Sequence, residues 1–462
     1  EGDWVDGQIV GQGRATYPNG STYEGHFDAG KPNGKGKITY ADGGTYDGDW
    51  VQGEITGQGT ATYANGSTYS GGFSGALHDG KGTLTQPNGY RYEGDWVDGE
   101  ILGQGKATYP NGSVYEGAFA KGKPNGKGRI TFADGGSYEG DWLDGQMTGQ
   151  GSAAYVNGAT YAGGFRNGLH HDKGLLTQKS GYRYDGDWVD GAKEGTGEIT
   201  YPDGSVYEGG MLGDLRAGQG KLTMPDGLVY EGGWAAGQMS GRGRLVQANG
   251  DIYDGTMVAN RREGQGRAEY ADGDLYEGGF RAGRNEGQGR MSNPDGYLYN
   301  GAWKDGKRHG EGQASYVDGT AYTGSFVDGQ REGQGVLITK DGFRYEGGWK
   351  DGEIDGEGTA TYTNGDVYTG HFVAGKRQGT GRMQYASGRV AEGQWQDDKL
   401  APEGAPRGDA GSGGEGAATP APAADPDGPE GEASPAAAER AATPAAGGPD
   451  AAQANESLPV DF

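Results

Sequence analysis

Six cations stand at one fixed offset of a repeating pattern: Lys193, Arg216, Arg262, Arg308, Arg331 and Arg377. Side chains of that type, evenly spaced, could recognise anions through charge-assisted hydrogen bonds. Basic neighbours such as Arg261, Lys307 and Lys376 accompany them. Placed in loops and aligned by stacked units, they predict a basic edge suited to an acidic protein or a lipid headgroup; the competing reading is a solvated edge that discourages sheet aggregation. Other groups point away from catalysis. Glu24, Asp47, Glu93, Glu116, Glu139, Asp185 and Glu208 share another offset, and acid–base work needs two carboxyls in unlike environments. A row of equivalent acids predicts a solvated face. Residues 75–81 (GALHDGK) look like a phosphate-binding loop, but Gly82 stands where a magnesium-binding Ser or Thr belongs. His26, His78, His170, His171, His309 and His371 fall in or beside different units, which argues against a zinc site. The sequons at Asn19, Asn65 and Asn111 are accounted for by turn chemistry. No catalytic residue, cofactor or metal is expected.

The register of the chain shows what must position these groups. Tyr recurs at 23, 46, 69 and every 23 residues to 368, with no insertion or deletion. Counted from each such Tyr, Gly holds positions +2, +13 and +20, and all nine Trp hold +4, where Phe or Met otherwise stands. A second aromatic is usual at +17, as at Tyr17, Tyr109, Phe132 and Tyr201. A slower rhythm of 92 residues returns GKPNGKG, at 30–36 and 122–128.

Composition agrees with a repeat rather than a globule. Gly accounts for 102 of 462 residues and the hydrophobic fraction is 32%, too little for two to four conventional cores. The net charge of −25 disfavours nucleic acid and, on average, anionic membranes. With no Cys there is no disulfide framework. No apolar run approaches the ~20 residues of a membrane-spanning helix. The chain opens at Glu1, part-way through a unit.

In YEGDWV at 92–97, Tyr92, Gly94 and Trp96 alternate with Glu93, Asp95 and Val97, the period of a strand with its aromatics on one face. After a predicted loop, DGEILGQ, the run at 105–110 alternates again and predicts a second strand. Asn-Gly or Asp-Gly pairs such as Asn111-Gly112 then supply a tight turn. Each unit is read as a β-hairpin and the chain as an elongated all-β, single-layer meander of about seventeen units. At two strands of ~4.8 Å per unit it would reach about 160 Å before curvature. One unit cannot fold alone, because two aromatic side chains do not offset the ordering of 23 backbones. Stability is expected from stacked aromatic rows, with glycines letting rings approach the backbone. Tyr92, Trp96, Tyr138, Trp142, Tyr184 and Trp188 represent that face as a candidate interaction surface.

Units such as YEGDWVDGEILGQGKATYPNGSV at 92–114 resemble the MORN repeat, the membrane occupation and recognition nexus, over residues 1 to about 399. The resemblance implies a twisted sheet of stacked hairpins with an aromatic-lined groove, and roles in scaffolding, dimerisation and membrane tethering. The pattern is broken at Ala76, Asp214, Asn260 and Asp398 (+7), at Asp172 (+11) and at Ala391. These breaks predict altered loops or a curvature change near 172–260 and a frayed end cap. The expected function is a non-catalytic scaffold for other proteins, with itself as a homodimer partner. Two alternatives are a module binding phosphoinositides or other acidic lipid headgroups, and the targeting region of an enzyme whose catalytic domain lies outside this chain. Residues 400–462, rich in Ala, Pro, Gly and acid, are expected to be a disordered tether, with Leu458, Val460 and Phe462 as a docking peptide.

Overall fold

A computed structural model of the chain describes residues 1–402; the expected tether and its terminal docking peptide lie outside the described residues. The described residues are all-β, 36 strands in one sheet, and every pairing given is antiparallel. The chain divides into two units, residues 1–204 with 211–214, and residues 205–210 with 215 onward. Within each, successive strands pair with their neighbours in sequence, so both are meanders.

The repeat is an alternation of a seven-residue and a nine-residue strand, as in Arg91–Val97 and Glu100–Thr108. The seven-residue predicted loop between them is mostly not a loop. Only Asp98 and Gly99 turn, at φ 48° and 86°, two successive positive values that suit the twist of a two-residue hairpin. Residues 100–104 belong to the strand. They pair through an irregularity between Ile101 and Gly105, where Gly103 takes φ 105°. A glycine in that region admits the extra residue of a bulge, and this is what sequence alternation alone did not reveal.

The four breaks at +7 leave the turn unchanged. Ala76, Asp214, Asn260 and Asp398 adopt φ of 65–67°, the left-handed region their glycine counterparts use, and Asp172 does the same at φ 56° in the bulge. The strands around 172–260 keep their seven- and nine-residue lengths, so the altered loops expected there are absent. Side chains explain three of the four. Asp214, Asn260 and Asp398 each accept the backbone N–H of the +9 residue one repeat earlier, at 3.0, 2.8 and 2.9 Å. Ala76 has no such group, and a left-handed alanine costs about 1–2 kcal/mol. Ala76→Gly should therefore raise stability by roughly 0.5–1 kcal/mol after the glycine's larger unfolded-state entropy, measured as a higher denaturant midpoint with an unchanged slope.

The interior is one face of this sheet. The repeat tyrosines from 23 to 368 are exposed by 1% or less. Tyr115 shows how a single layer buries a phenol. Its ring lies over Gly117 and Gly128, which are paired across neighbouring strands. A Cβ on Gly128 would meet the Tyr115 hydroxyl at 2.1 Å. The hydroxyl donates to the Ala118 carbonyl, 2.9 Å away. Phe119 and Trp142 then close on the ring edge-on, with centroids at 5.0 and 5.1 Å. Each phenol is thus held by the +4 side chain of its own repeat and that of the next, a ring except at Met211 and Met257. Trp alternates with Phe or Met at +4 from Trp4 to Trp234, slips by one repeat through Met257 and Phe280, and resumes at Trp303, Trp349 and Trp395.

Neighbouring repeats are also stitched at the turns. The N–H of Gly99 donates to the His78 carbonyl and that of Gly145 to Pro124, both at 2.9 Å. Side chains at +10 cap the adjoining turn amide, as Glu286 does for Asp305 N–H at 3.0 Å. The final pairing, Gln396 with Lys399, is short, and Ala391 is only half-buried where a tyrosine would be sealed.

Candidate interaction surface

The six cations at +9 do not form a loop edge. The shortened turn puts +9 inside the second strand, directly opposite the +4 ring: Trp188 faces Lys193, Trp303 faces Arg308 and Phe326 faces Arg331. Their side chains therefore point onto the aromatic face. Arg377 and Arg331 are exposed by 1% and 2%, Lys193, Arg262 and Arg308 are also buried, and Arg216 is half-buried. The exposed basic edge expected from the sequence is corrected accordingly.

Each guanidinium lies over the +4 ring of the following repeat, Arg216 over Trp234 at 4.4 Å, Arg331 over Trp349 at 4.5 Å and Arg377 over Trp395 at 4.8 Å, within cation–π range. The same groups cap turn carbonyls. Nη2 of Arg216, Arg262 and Arg308 donates to Gly237, Gly283 and Gly329, at 2.9, 2.9 and 2.6 Å. Arg377 uses Nε on the Asp398 carboxylate and Nη2 on its carbonyl. Lys193 sits among Tyr182, Tyr184 and Trp188 and reaches Asp214 at 3.4 Å. These cations bind this chain's own rings and turns. The sequence did carry a signal for this: the same offset holds Ile9, Ile55, Ile101, Met147, Met239 and Ile354 elsewhere, which marks an interior slot.

The aromatic candidates are likewise closed. Tyr92, Tyr138 and Tyr184 are fully buried, and Trp96, Trp142 and Trp188 nearly so. Burial drives the phenol pKa upward along the row, to about 12 at Tyr23, Tyr46 and Tyr69. The rings contact one another rather than lining an open groove.

Two interior groups missed at the level of sequence are His78 and His170, which fill the +9 slot 92 residues apart. Each imidazole stacks flat on its repeat tyrosine, at 3.6 and 3.7 Å, with Nε2 at 2.6 and 2.5 Å from the hydroxyls of Tyr63 and Tyr155. Burial lowers both pKa values to about 4, and Lys193 adds to the effect at His170. A folded chain that resists protonation binds fewer protons than the unfolded one between pH 4 and 6.5. Stability from this source is therefore complete above about pH 6.5 and is lost as pH falls toward 4. For buried His170 the loss is on the order of 2–3 kcal/mol. His170→Met, which borrows the residue of the preceding repeat's slot, should flatten that part of the pH–stability curve, read by urea unfolding at a series of pH values.

On the opposite face, Glu93, Glu116 and Glu139 are exposed as expected. Lys35, Lys81 and Lys127 bridge Asp49, Asp95 and Asp141 at 2.7, 2.5 and 2.7 Å, and these hydrogen bonds hold the three carboxyls below the usual range. Beside the turns of the first unit, Val51, Val97, Leu143 and Val189 recur every second repeat and are about half exposed. Among the described residues no cluster of His, Asp and Glu suited to a metal is found, and no helix is long and apolar enough to cross a membrane.

A sheet built of like hairpins, closed on its own rings, defines a repeat protein whose variable parts are its outward side chains. The MORN repeat model matches sixteen segments between residues 1 and 388, and the chain belongs to that family. The one unit skipped within that span, residues 161–183, carries Asp172 and His170, yet its strands Thr160–Arg166 and Leu169–Thr177 pair as the others do. No curated protein matches the chain. Among solved structures it is similar to the TCP10 domain of Danio rerio CPAP in complex with a STIL peptide, at 17% identity over 57% of this chain and 94% of that one, with a TM-score of 0.17. The SAS-4 TCP domain of Drosophila melanogaster, in complex with a proline-rich motif of Ana2, matches at 15% identity over 44% and 90%, with a TM-score of 0.21. Virginiamycin B lyase of Staphylococcus aureus matches at 12% over 64% and 85%, with a TM-score of 0.11. Superpositions this partial carry no argument about function.

Proposed function

We propose that the chain is a non-catalytic scaffold that binds other proteins, a second copy of itself included, through its outward-facing side chains. The observation that supports this most directly is the row Val51, Val97, Leu143 and Val189. These aliphatic side chains are half exposed at a regular interval, on the face that the ring interior does not use. An exposed apolar row rimmed by polar groups suits protein contacts, and a second array of the same period would match it along its length. Sedimentation of the full chain tests the reading. The quadruple change of these four residues to Ser should reduce self-association while leaving the circular dichroism spectrum intact. A chain that is monomeric at all concentrations, and captures no protein dependent on the row, would overturn it.

The acidic-lipid alternative has less support, because the six cations it relied on are engaged inside the array. Flotation with phosphoinositide vesicles distinguishes the two: binding that is lost on changing Arg262, Arg308 and Arg377 to Glu, without unfolding, would favour the lipid reading.

A further inference from the structure

In the second unit, the residues flanking three successive hairpin turns break the charge pattern of the rest of the array. The positions on either side of each turn lie directly opposite one another. In most hairpins this pair is neutral on at least one side, or of opposite charge, as in Asp28 with Lys31 and Lys350 with Glu353. Arg281 faces Arg284, and Lys304 faces Lys307. The preceding hairpin adds Arg261, opposite Val258. All five cations are exposed, and they share the face away from the rings.

Like charges directly opposed across strands repel. Carboxylates lie within ion-pair distance of two of these cations. Arg281 reaches Glu286 at 3.7 Å and Arg284 reaches Asp305 at 3.6 Å. Glu286 and Glu263 are each already accepting a turn N–H. Two adjacent repulsive pairs, in a chain whose net charge is −25, form a local basic strip that an extended anionic segment would complete.

We propose that this strip docks an acidic peptide, and that its occupant is the chain's own segment 425–432. That segment reads DPDGPEGE and places Asp425, Asp427, Glu430 and Glu432 within eight residues. Three hairpins at two strands each span about 25 Å at ~4.8 Å per strand, close to eight extended residues at ~3.3 Å each. Residues 403–424 form the connection, which reaches about 70 Å at ~3.3 Å per residue. The eight strands between Lys307 and Lys399 cover about 40 Å. Tethering supplies an effective concentration in the millimolar range, so a contact too weak to form between free molecules forms within one chain. An anionic membrane is a poorer occupant, because the whole chain's charge is repelled by it. The inference is independent of the aliphatic row.

The absence of cysteine makes the test direct. Spin labels on Gln330→Cys and Ser434→Cys in the full chain report the distance between strip and segment by double electron–electron resonance. At about 0.05 M salt a short-distance population is expected, which should disappear at about 0.5 M. It should also disappear in R281Q/R284Q/K304Q/K307Q and in D425N/D427N/E430Q/E432Q. The first variant should be at least as stable as the parent, because it removes repulsion, so lost docking cannot be mistaken for unfolding. A distance distribution unchanged by either variant overturns the proposal. So does the finding that phosphatidylserine vesicles, and not the segment, bind the strip in a manner abolished by the first variant.

Discussion

Gly128→Ala should destabilise the first unit by about 3 kcal/mol or more, the upper end of what overpacking produces. The added methyl would sit 2.1 Å from the Tyr115 hydroxyl and 2.4 Å from Cζ. Tyr115 cannot yield, because its hydroxyl is tied to the Ala118 carbonyl and its edges are held by Phe119 and Trp142. Gly128 itself is pinned on both sides, to Gly117 and to Gly140. The change should appear as a large drop in the urea midpoint and as faster amide exchange in the strands containing 114–120 and 123–131. Gly122→Ala is the control that separates space from backbone strain. At Gly122, φ is 75° and an added methyl would find nothing within 4 Å, so the substitution should cost only the left-handed penalty less the reduced entropy of the unfolded chain, about 0.5–1 kcal/mol. Equal costs for the two would refute the ring seat as the reason for the +13 glycine.

Trp142→Ala should cost about 3–5 kcal/mol, the range for removing a large buried aromatic. Its ring closes the edges of both Tyr115 and Tyr138, at 5.1 and 5.4 Å, and its Nε1–H donates to the Gly128 carbonyl at 3.0 Å. One side chain therefore seals two repeats. Trp142→Phe should cost much less, about 1 kcal/mol, because it forfeits chiefly one hydrogen bond and leaves a residue that alternate repeats already use at this position. Denaturation of both variants checks the pair. Comparable losses would mean that the hydrogen bond, not ring packing, dominates. Because Trp142 and Gly128 touch, their effects should not add when combined.

The fold was legible because spacing is the strongest signal a repeat offers. Tyr at every 23rd residue, Gly at +2 and +13, and ring residues at +4 together specified strands, faces and the seating of rings on glycine, as Tyr115 over Gly117 and Gly128 shows. What escaped was the bulge. Alternation is interrupted where Gly103 takes a positive φ, so residues 100–104 read as a loop although they are paired. That single displacement moved +9 from an apparent edge to the interior and turned six candidate anion-binding cations into internal clamps. Charge invited the edge reading, whereas Ile and Met in the same slot of other repeats were the better guide. Cation–π seats such as Arg331 over Trp349 depend on rings one repeat away, beyond what any one unit's sequence displays.

The slip in the tryptophan alternation between Trp234 and Trp303 implies that the array is tolerant in one respect and strict in another. A junction accepts indole, phenyl or thioether against the same phenol, so neighbours need not come in matched pairs. Whole units can therefore enter or leave singly, and the number of outward positions offered to partners can change by one hairpin at a time. Within the strands, a gain or loss that is not a whole multiple of 23 residues would put the next phenol out of register with its glycines.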